Sequence, residues 1–206
     1  DAQVLSLLNS RYVPNFKPRE EEGYIRLTTH NAMAQQINNA ELEKLPGQTY
    51  MFKAVVEGKF PELSFPTDEV LELKKDAQVM FVKNDSSPEK RYYNGMIGRV
   101  TAINERGFVV QPKGTNEAIE VAPEEWENNR YELDEQTKEI KEVREGLFRQ
   151  YPIKTAWAIT IHKSQGLTFS HAIIDASLSF AHGQTYVALS RCKTLDGLVL
   201  SAPIPA

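Results

Sequence analysis

The chain has 206 residues, 41% of them hydrophobic and 25% charged, so it can form one large domain or two small ones with a buried core. No apolar run approaches membrane-spanning length, and the amino terminus has no basic region followed by an apolar stretch, so we expect an intracellular protein with no membrane partner. The formal net charge of −4 argues against a broad basic surface. Cys192 is the only cysteine, which excludes an intrachain disulfide.

The first quarter of the chain predicts a helix, a linker, a strand and a second helix. Apolar residues with helical spacing open the chain, and prolines and a run of glutamates follow up to residue 23. Tyr24–Thr28 is rich in β-formers and predicts a strand. Asn31–Leu45 predicts a helix, capped at its amino terminus by Thr29 or Asn31 and stopped by the following Pro-Gly.

Residues 49–121 change to a period of two, in short runs separated by proline, glycine and asparagine. Such spacing predicts a small barrel. We expect it to close its own core without help from the rest of the chain, using Val79, Phe81, Ile97, Val100, Ile103, Phe108 and Val110. The segment that follows leads back out of the barrel, although its Ile140 and Val143 would equally suit a helix.

An α/β pattern resumes after Pro152. Ala156–Ile161 is a nearly continuous apolar run, as expected for a parallel strand that is buried on both faces. The loop Thr160–Thr168 then reads T-I-H-K-S-Q-G-L-T, which combines polar groups, a cation and a glycine. Because open α/β sheets bind ligands at the carboxyl ends of their strands, this sequence predicts a phosphate-handling loop.

A second polar group of residues follows a predicted strand at Ala172–Asp175. A helix is expected from about Gly183, and a final strand at Leu198–Leu200. On that helix Gln184 and Arg191 lie seven positions apart and share one face, so an amide and a guanidinium point the same way.

Two motifs that commonly bind nucleotide phosphates and magnesium are missing from the sequence. No G-x-x-x-x-G-K-[ST] phosphate loop is present, and no strand ends in the adjacent Asp-Glu pair of a magnesium-binding motif. The spacings of His162, His171, His182 and Cys192 match no usual zinc pattern, so we predict no metal site in this chain.

The loop T-x-H-K-S-Q-G, followed by Y-V-A-L-S-R, resembles the fifth and sixth motifs of superfamily 1 helicases, in the form used by 5′-to-3′ helicases of the Pif and RecD type. R-L-T-T-H-N at Arg26–Asn31, with Ile37–Asn38 after it, is similar to the fourth motif. The segments at residues 79–85 and 94–100 resemble the small barrel inserted in the second motor domain of these helicases. The resemblance covers most of the chain from about Tyr24 onward.

The resemblance implies an α/β fold: a RecA-like second motor domain of the P-loop NTPase type, with an inserted small all-β barrel of the Src-homology-3-like kind. Residues 1–23 would be a boundary helix and linker, 24–75 and 149–206 the RecA-like domain, and 76–148 the barrel with its return segment. The missing phosphate loop belongs to the first motor domain. We therefore expect a carboxyl-terminal motor half that is inactive alone, with ATP and Mg²⁺ bound mainly by that first domain.

The resemblance also assigns residues to the site. Arg191 would be the arginine finger, Gln184 would bond phosphate or water, and Gly166, Gln165 and Arg191 would meet the nucleotide. DNA phosphates would be contacted by Thr160, His162, Lys163 and Ser164, and from the fourth motif by Thr28, Thr29 and Asn31. Each residue also has a plain structural interpretation, such as helix capping for the arginine and the threonines or an ordinary turn for the glycine.

The function implied is 5′-to-3′ translocation and unwinding, with single-stranded DNA and the first RecA-like domain as partners and a cytoplasmic or nucleoid location. The acidic segment Glu117–Glu145 is interpreted as a solvated face, so DNA would follow a narrow track elsewhere. An alternative from another class is a non-catalytic interaction module derived from a helicase, whose barrel binds a protein or nucleic-acid partner.

Overall fold

The computed structural model describes residues 2–175 and 183–205, so His182 lies outside the described residues. The α-helices within these ranges are α1 (Ala2–Asn9), α2 (Asn31–Lys44) and α3 (Gln184–Ser190). The strands are β1 (Ile25–Thr28), β2 (Tyr50–Lys53), β3 (Val55–Gly58), β4 (Val70–Leu73), β5 (Gln78–Phe81), β6 (Ile97–Asn104), β7 (Gly107–Pro112), β8 (Ile119–Glu120), β9 (Glu124–Leu133), β10 (Ile140–Gln150), β11 (Ile153–Thr155), β12 (Ala158–Thr160), β13 (Ala172–Asp175) and β14 (Leu198–Ala202).

A parallel sheet is formed by one strand from the first part of the chain and three from the last, in the order β12-β1-β13-β14. Ile25 and Leu27 of the inner strand β1 are fully buried, and the strand predicted from the β-formers of Tyr24–Thr28 is present. Helix α2 follows β1 and packs on β12 and β1. The predicted α/β fold is confirmed at this level, and within the described part of the chain no helix is long and apolar enough to cross a bilayer.

The strand predicted at Ala156–Ile161 is shorter in the structure. The chain leaves an antiparallel pairing of β11 with β5 and enters the parallel sheet as β12, with a break at Ala156 and Trp157. The backbone N–H of Ala156 donates to the Gln78 carbonyl, whereas the Trp157 carbonyl accepts from Arg26, 2.8 Å away. An apolar run cannot reveal such a change of sheet, because it does not record which strands lie beside each of its residues.

The β-rich region forms an antiparallel sheet of order β11-β5-β6-β7-β8. The strands expected from the period of two are present, while closure into a Src-homology-3-like barrel stays a prediction. The expectation of a self-contained core is wrong. The buried cluster that holds Val79, Phe81, Val100, Phe108 and Val110 also includes residues from outside 76–148, the range that the resemblance gives to the barrel, namely Leu42, Phe52, Leu71, Leu73 and Ile153.

A long antiparallel hairpin, β9–β10, pairs through β10 with β3. Ile140 and Val143 lie in β10, so the helical alternative for this segment is wrong. Cross-strand ion pairs join Arg144 to Glu127 and Arg149 to Glu125. Pairs of opposite charge across neighbouring strands favour the hairpin, and a single-strand pattern does not record them.

Helix α2 begins one residue from the predicted caps. His30 is the N-cap, and its side chain makes no capping hydrogen bond to the helix. Asn31 is the first helical residue, and the Thr29 hydroxyl bonds the His30 ring nitrogen Nδ1 at 2.7 Å instead. The amide groups of the first turn of α2 are therefore not capped by a side chain at the N-cap position.

Candidate functional site

The fourth-motif and fifth-motif segments meet at the carboxyl edge of the parallel sheet. Thr28 at the end of β1 is in register with Thr160 at the end of β12, and the Ile161 N–H donates to the Thr28 carbonyl at 2.8 Å. Both threonine side chains are buried, at 1% and 4% exposure. The Thr160 hydroxyl accepts from the Lys163 N–H at 3.2 Å, and the Thr28 hydroxyl donates to the His30 carbonyl at 3.3 Å. In this conformation both hydroxyls form hydrogen bonds with the backbone of the loops that follow their strands.

The loop after β12 turns one polar residue inward and several outward. Ser164 is fully buried, and its hydroxyl donates to the Ile161 carbonyl at 2.7 Å. This hydrogen bond anchors the loop and does not leave the hydroxyl facing solvent. In contrast, His162, Lys163 and Gln165 are exposed. Gly166 is exposed as well, with a φ of +80° and no heavy atom within 4 Å of a Cβ built on it, so its backbone is open to a close approach.

Arg191 lies against the same loop. It is the C-cap of α3, and its Nη1 donates to the carbonyls of Leu167 at 3.2 Å and Ser164 at 3.5 Å. Its Nε donates to Val187 O at 3.2 Å, and Nη2 lies 3.0 Å from the Ser190 hydroxyl. All these partners are neutral, and no carboxylate of the described residues forms an ion pair with Arg191. Among the described residues, the positive charge of the guanidinium is therefore not compensated by a carboxylate.

Gln184 opens α3, and Arg191 closes it. At 1.5 Å per residue the two lie about 10 Å apart along the helix axis. A small ligand between them would therefore contact Gln184 at one of its ends and Arg191 at the other. The structure thus brings Arg191 to the loop of Gln165 and Gly166, and places Gln184 at the other helix end.

A groove of about 500 Å³ continues from the strand ends, along α2, towards β4. Asn31, Thr160 and Lys163 line its upper end. Asn31 is exposed, and Thr29 is half-buried. The groove therefore joins Asn31 of the fourth-motif segment to Thr160 and Lys163 of the fifth in one concave surface.

Asn38 has a structural function that the motif comparison did not reveal. Its Nδ2 donates to the Ala158 carbonyl at 3.0 Å, and its Oδ1 accepts from the N–H groups of Trp157 at 2.9 Å and Ala158 at 2.8 Å. Since β12 is the edge strand of the parallel sheet, this side chain takes the place of a missing neighbour strand. An amide on the buried side of a helix that follows a strand is the signal that could have indicated it.

Asn38→Ala is expected to lower the free energy of unfolding by about 2 to 3 kcal/mol, because it leaves buried backbone groups of β12 unpaired. Asn39→Ala is the matched control, since Asn39 is exposed on the same helix and should change stability little. Urea unfolding of both variants measures the difference. Equal stability of the two variants would contradict this account of the strand edge.

Among the described residues, no group of three or more His, Cys, Asp or Glu side chains could hold a metal ion.

Comparison with known proteins identifies the class. No protein-family model matches the chain. Its structure is similar to that of unliganded Pif1 from Bacteroides sp, with a TM-score of 0.90 and 40% identity over 100% of this chain and 46% of that one. Against the Bacteroides Pif1 complex with ADP-AlF3 and ssDNA the identity is again 40%, over the same shares of the two chains, and the TM-score is 0.73. The chain therefore has the mixed α/β architecture of a RecA-like helicase fold.

The sequence relatives are helicases of one type. The ATP-dependent DNA helicase Pif1 of Psychrobacter sp. (strain PRwf-1) is 34% identical over an alignment that covers 85% of this chain and 33% of that protein. The predicted relationship to helicases of the Pif and RecD type is confirmed: the chain corresponds in sequence and fold to the carboxyl-terminal half of Pif1 helicases. It spans about a third of the length of this curated relative.

Proposed function

We propose that this chain is the carboxyl-terminal motor half of an ATP-dependent DNA helicase, and that it supplies an arginine finger and single-stranded DNA contacts for 5′-to-3′ translocation and unwinding. The observation that carries the proposal is the contact of Arg191 with the loop after β12, at the carbonyls of Ser164 and Leu167. The same loop exposes His162 and Lys163. A movement of the loop at its contact with Arg191 would therefore also move His162 and Lys163.

Arg191 is suited to act on a phosphoryl group. ATP hydrolysis builds negative charge on the transferred phosphoryl, and an arginine from a neighbouring domain stabilises this charge. Because Arg191 is held by neutral carbonyls and a hydroxyl, its release costs much less than the rupture of a buried ion pair. Gln165 and the open backbone of Gly166 would meet the nucleotide beside it, and Gln184 would bond phosphate or water from the other end of α3.

The DNA contacts would come from the outward-facing side chains. His162 and Lys163 can donate to phosphates, and Thr29 and Asn31 lie on the neighbouring segment. The buried Thr28, Thr160 and Ser164 would act through the backbone that they hold, which revises the direct contact expected of their hydroxyls. Phosphate contacts position a strand without reading its bases, as a translocating motor requires.

In this proposal the β-rich region is an inserted Src-homology-3-like barrel, and the first RecA-like domain supplies the phosphate loop and most of the ATP and Mg²⁺ site. Two relatives support it: one is an ATP-dependent DNA helicase, and the other forms a complex with ADP-AlF3 and ssDNA. The alternative of a non-catalytic interaction module needs neither an uncompensated Arg191 nor the exposed His162 and Lys163. The presence of both disfavours that alternative.

The isolated chain is expected to fold and to show no DNA-stimulated ATP hydrolysis, because its sequence has no phosphate loop. The test compares ATP turnover of the 206-residue chain with that of the complete protein that carries the first motor domain, at equal DNA concentration. Turnover by the isolated chain in the usual enzyme range of about 1 to 10³ per second would refute the half-motor proposal.

A further inference from the structure

Lys154 is a cation without a partner in the groove beside α2. It lies on β11, is half-buried, and lines the groove together with Lys163 and Thr160. Its ammonium group makes no hydrogen bond and no ion pair with any described residue, although other lysines of the chain are paired. Burial lowers the pKa of Lys154, the positive charge of Lys163 lowers it further, and Asp68 opposes this change without coming within ion-pair distance.

The groove is electrostatically uneven along its length. Helix α2 runs along it, with Asn31 near Thr160 and Lys163, and with Glu43 about 18 Å further down the helix. The upper end therefore combines Lys163 with the positive end of the helix dipole and with amide groups that have no side-chain cap at the N-cap position, and Lys154 is close enough to Lys163 for the two charges to act on each other. Glu43 lies at the negative end of the dipole. Asp68 and Glu72 also line the groove, and the charge of Asp68 acts on Lys154, so the charge balance favours an anion most at the end near Lys163.

We propose that Lys154 binds a phosphate of the translocating single strand, together with Lys163, so that the DNA-binding surface extends from the strand ends into the groove beside α2. A phosphate between the two ammonium groups would relieve their mutual repulsion and would pair a half-buried lysine that has no partner among the described residues. A backbone phosphate is the fitting ligand, because the groove is continuous with the edge at which Thr28 and Thr160 end their strands. This inference rests on the proposed function.

The test is a titration of the 206-residue chain with a fluorescent oligothymidylate at several salt concentrations. Lys154→Gln is expected to weaken binding about tenfold, the usual value of a charge-assisted hydrogen bond. It should also reduce the slope of log affinity against log salt by about 0.7, the effect of one phosphate contact on a single strand. Lys154→Arg should keep most of the slope. Lys17→Gln is the control, since Lys17 is exposed in the linker after α1 and does not line the groove.

The outcomes separate this inference from the proposed function. If the unaltered chain binds the oligonucleotide and Lys154→Gln keeps its affinity and slope, the Lys154 contact is refuted while the proposed function stands. If the unaltered chain does not bind the oligonucleotide even at low salt, the DNA contacts of the proposed function are refuted, and the Lys154 contact is refuted with them. Lys154→Met, which keeps the apolar stem, repeats the measurement should the glutamine variant not fold, and thermal unfolding confirms the fold of each variant.

Discussion

Arg191→Ala in the complete protein should reduce DNA-stimulated ATP turnover by about 10³-fold or more, while ATP affinity changes little. The reason is that a finger acts on charge that develops only in the transition state, so its loss lowers kcat without weakening ground-state binding. The fold should survive, since the side chain bonds only neutral groups of the loop and of α3, each worth about 1 kcal/mol.

Arg191→Lys and Arg106→Ala complete this experiment. Lysine keeps the charge but lacks the planar fork of donors, so we expect it to recover little of the turnover. Arg106 is exposed at the turn between β6 and β7, and its loss removes an arginine without touching the loop after β12. Steady-state ATPase assays and nucleotide titration measure both quantities. Near-normal turnover of Arg191→Ala would refute the arginine-finger proposal and would leave helix capping as the function of Arg191.

Joint replacement of His162 and Lys163 by alanine is expected to weaken single-stranded DNA binding at least tenfold, equally for every base composition. Both side chains are exposed on the loop, whereas their neighbours Thr160 and Ser164 are buried, so this pair removes contacts without removing the hydrogen bonds that hold the loop. Thr160→Ala should instead lower stability, because the Lys163 N–H loses its acceptor.

The measurement is a titration of the complete protein with homopolymeric and mixed oligonucleotides at fixed salt, since affinities at different salt cannot be compared. Lys17→Ala removes a lysine outside the site and serves as the control. A loss of affinity confined to one base composition would indicate base readout and contradict a phosphate track. Unchanged affinity for all oligonucleotides would exclude this loop from DNA binding.

Features of the sequence that repeat locally were predicted well. The apolar run before T-I-H-K-S-Q-G predicted a buried parallel strand, and the structure places β12 in that sheet beside β1. The period of α2 was also clear, and its bounds differ from the prediction by one residue at the carboxyl end. In each case a short window of residues contains the physical cause, namely burial on two faces of a strand or on one face of a helix.

Features that depend on distant residues were missed. The break at Ala156 and Trp157 follows from pairing with Gln78 and Arg26, which are far away in the chain. Ser164 resembles an exposed ligand in a polar loop, but its hydroxyl is buried by the fold and bonds a backbone carbonyl. Likewise, the ion pairs that favour strand over helix in β10 lie across the hairpin. Tertiary context decided these positions.

The expectation that the β-rich region closes its own core is wrong for a similar reason. Its residues have the spacing of a closed core, but Leu71, Leu73 and Ile153 complete the same cluster. A deletion of residues 76–121 would therefore uncover apolar surface of the remaining chain. Point variants at exposed positions are the better test of what the β-rich region contributes to unwinding.

The position of the Arg191 guanidinium in a transition-state complex tests the central claim most directly. A crystal structure of the complete protein with ADP, aluminium fluoride and single-stranded DNA would provide it. The proposal predicts that the guanidinium leaves the Leu167 and Ser164 carbonyls, to which it donates at 3.2 Å and 3.5 Å here, and comes within hydrogen-bond distance of the fluoride. A guanidinium that stays on the two carbonyls, with the nucleotide site filled, would contradict it.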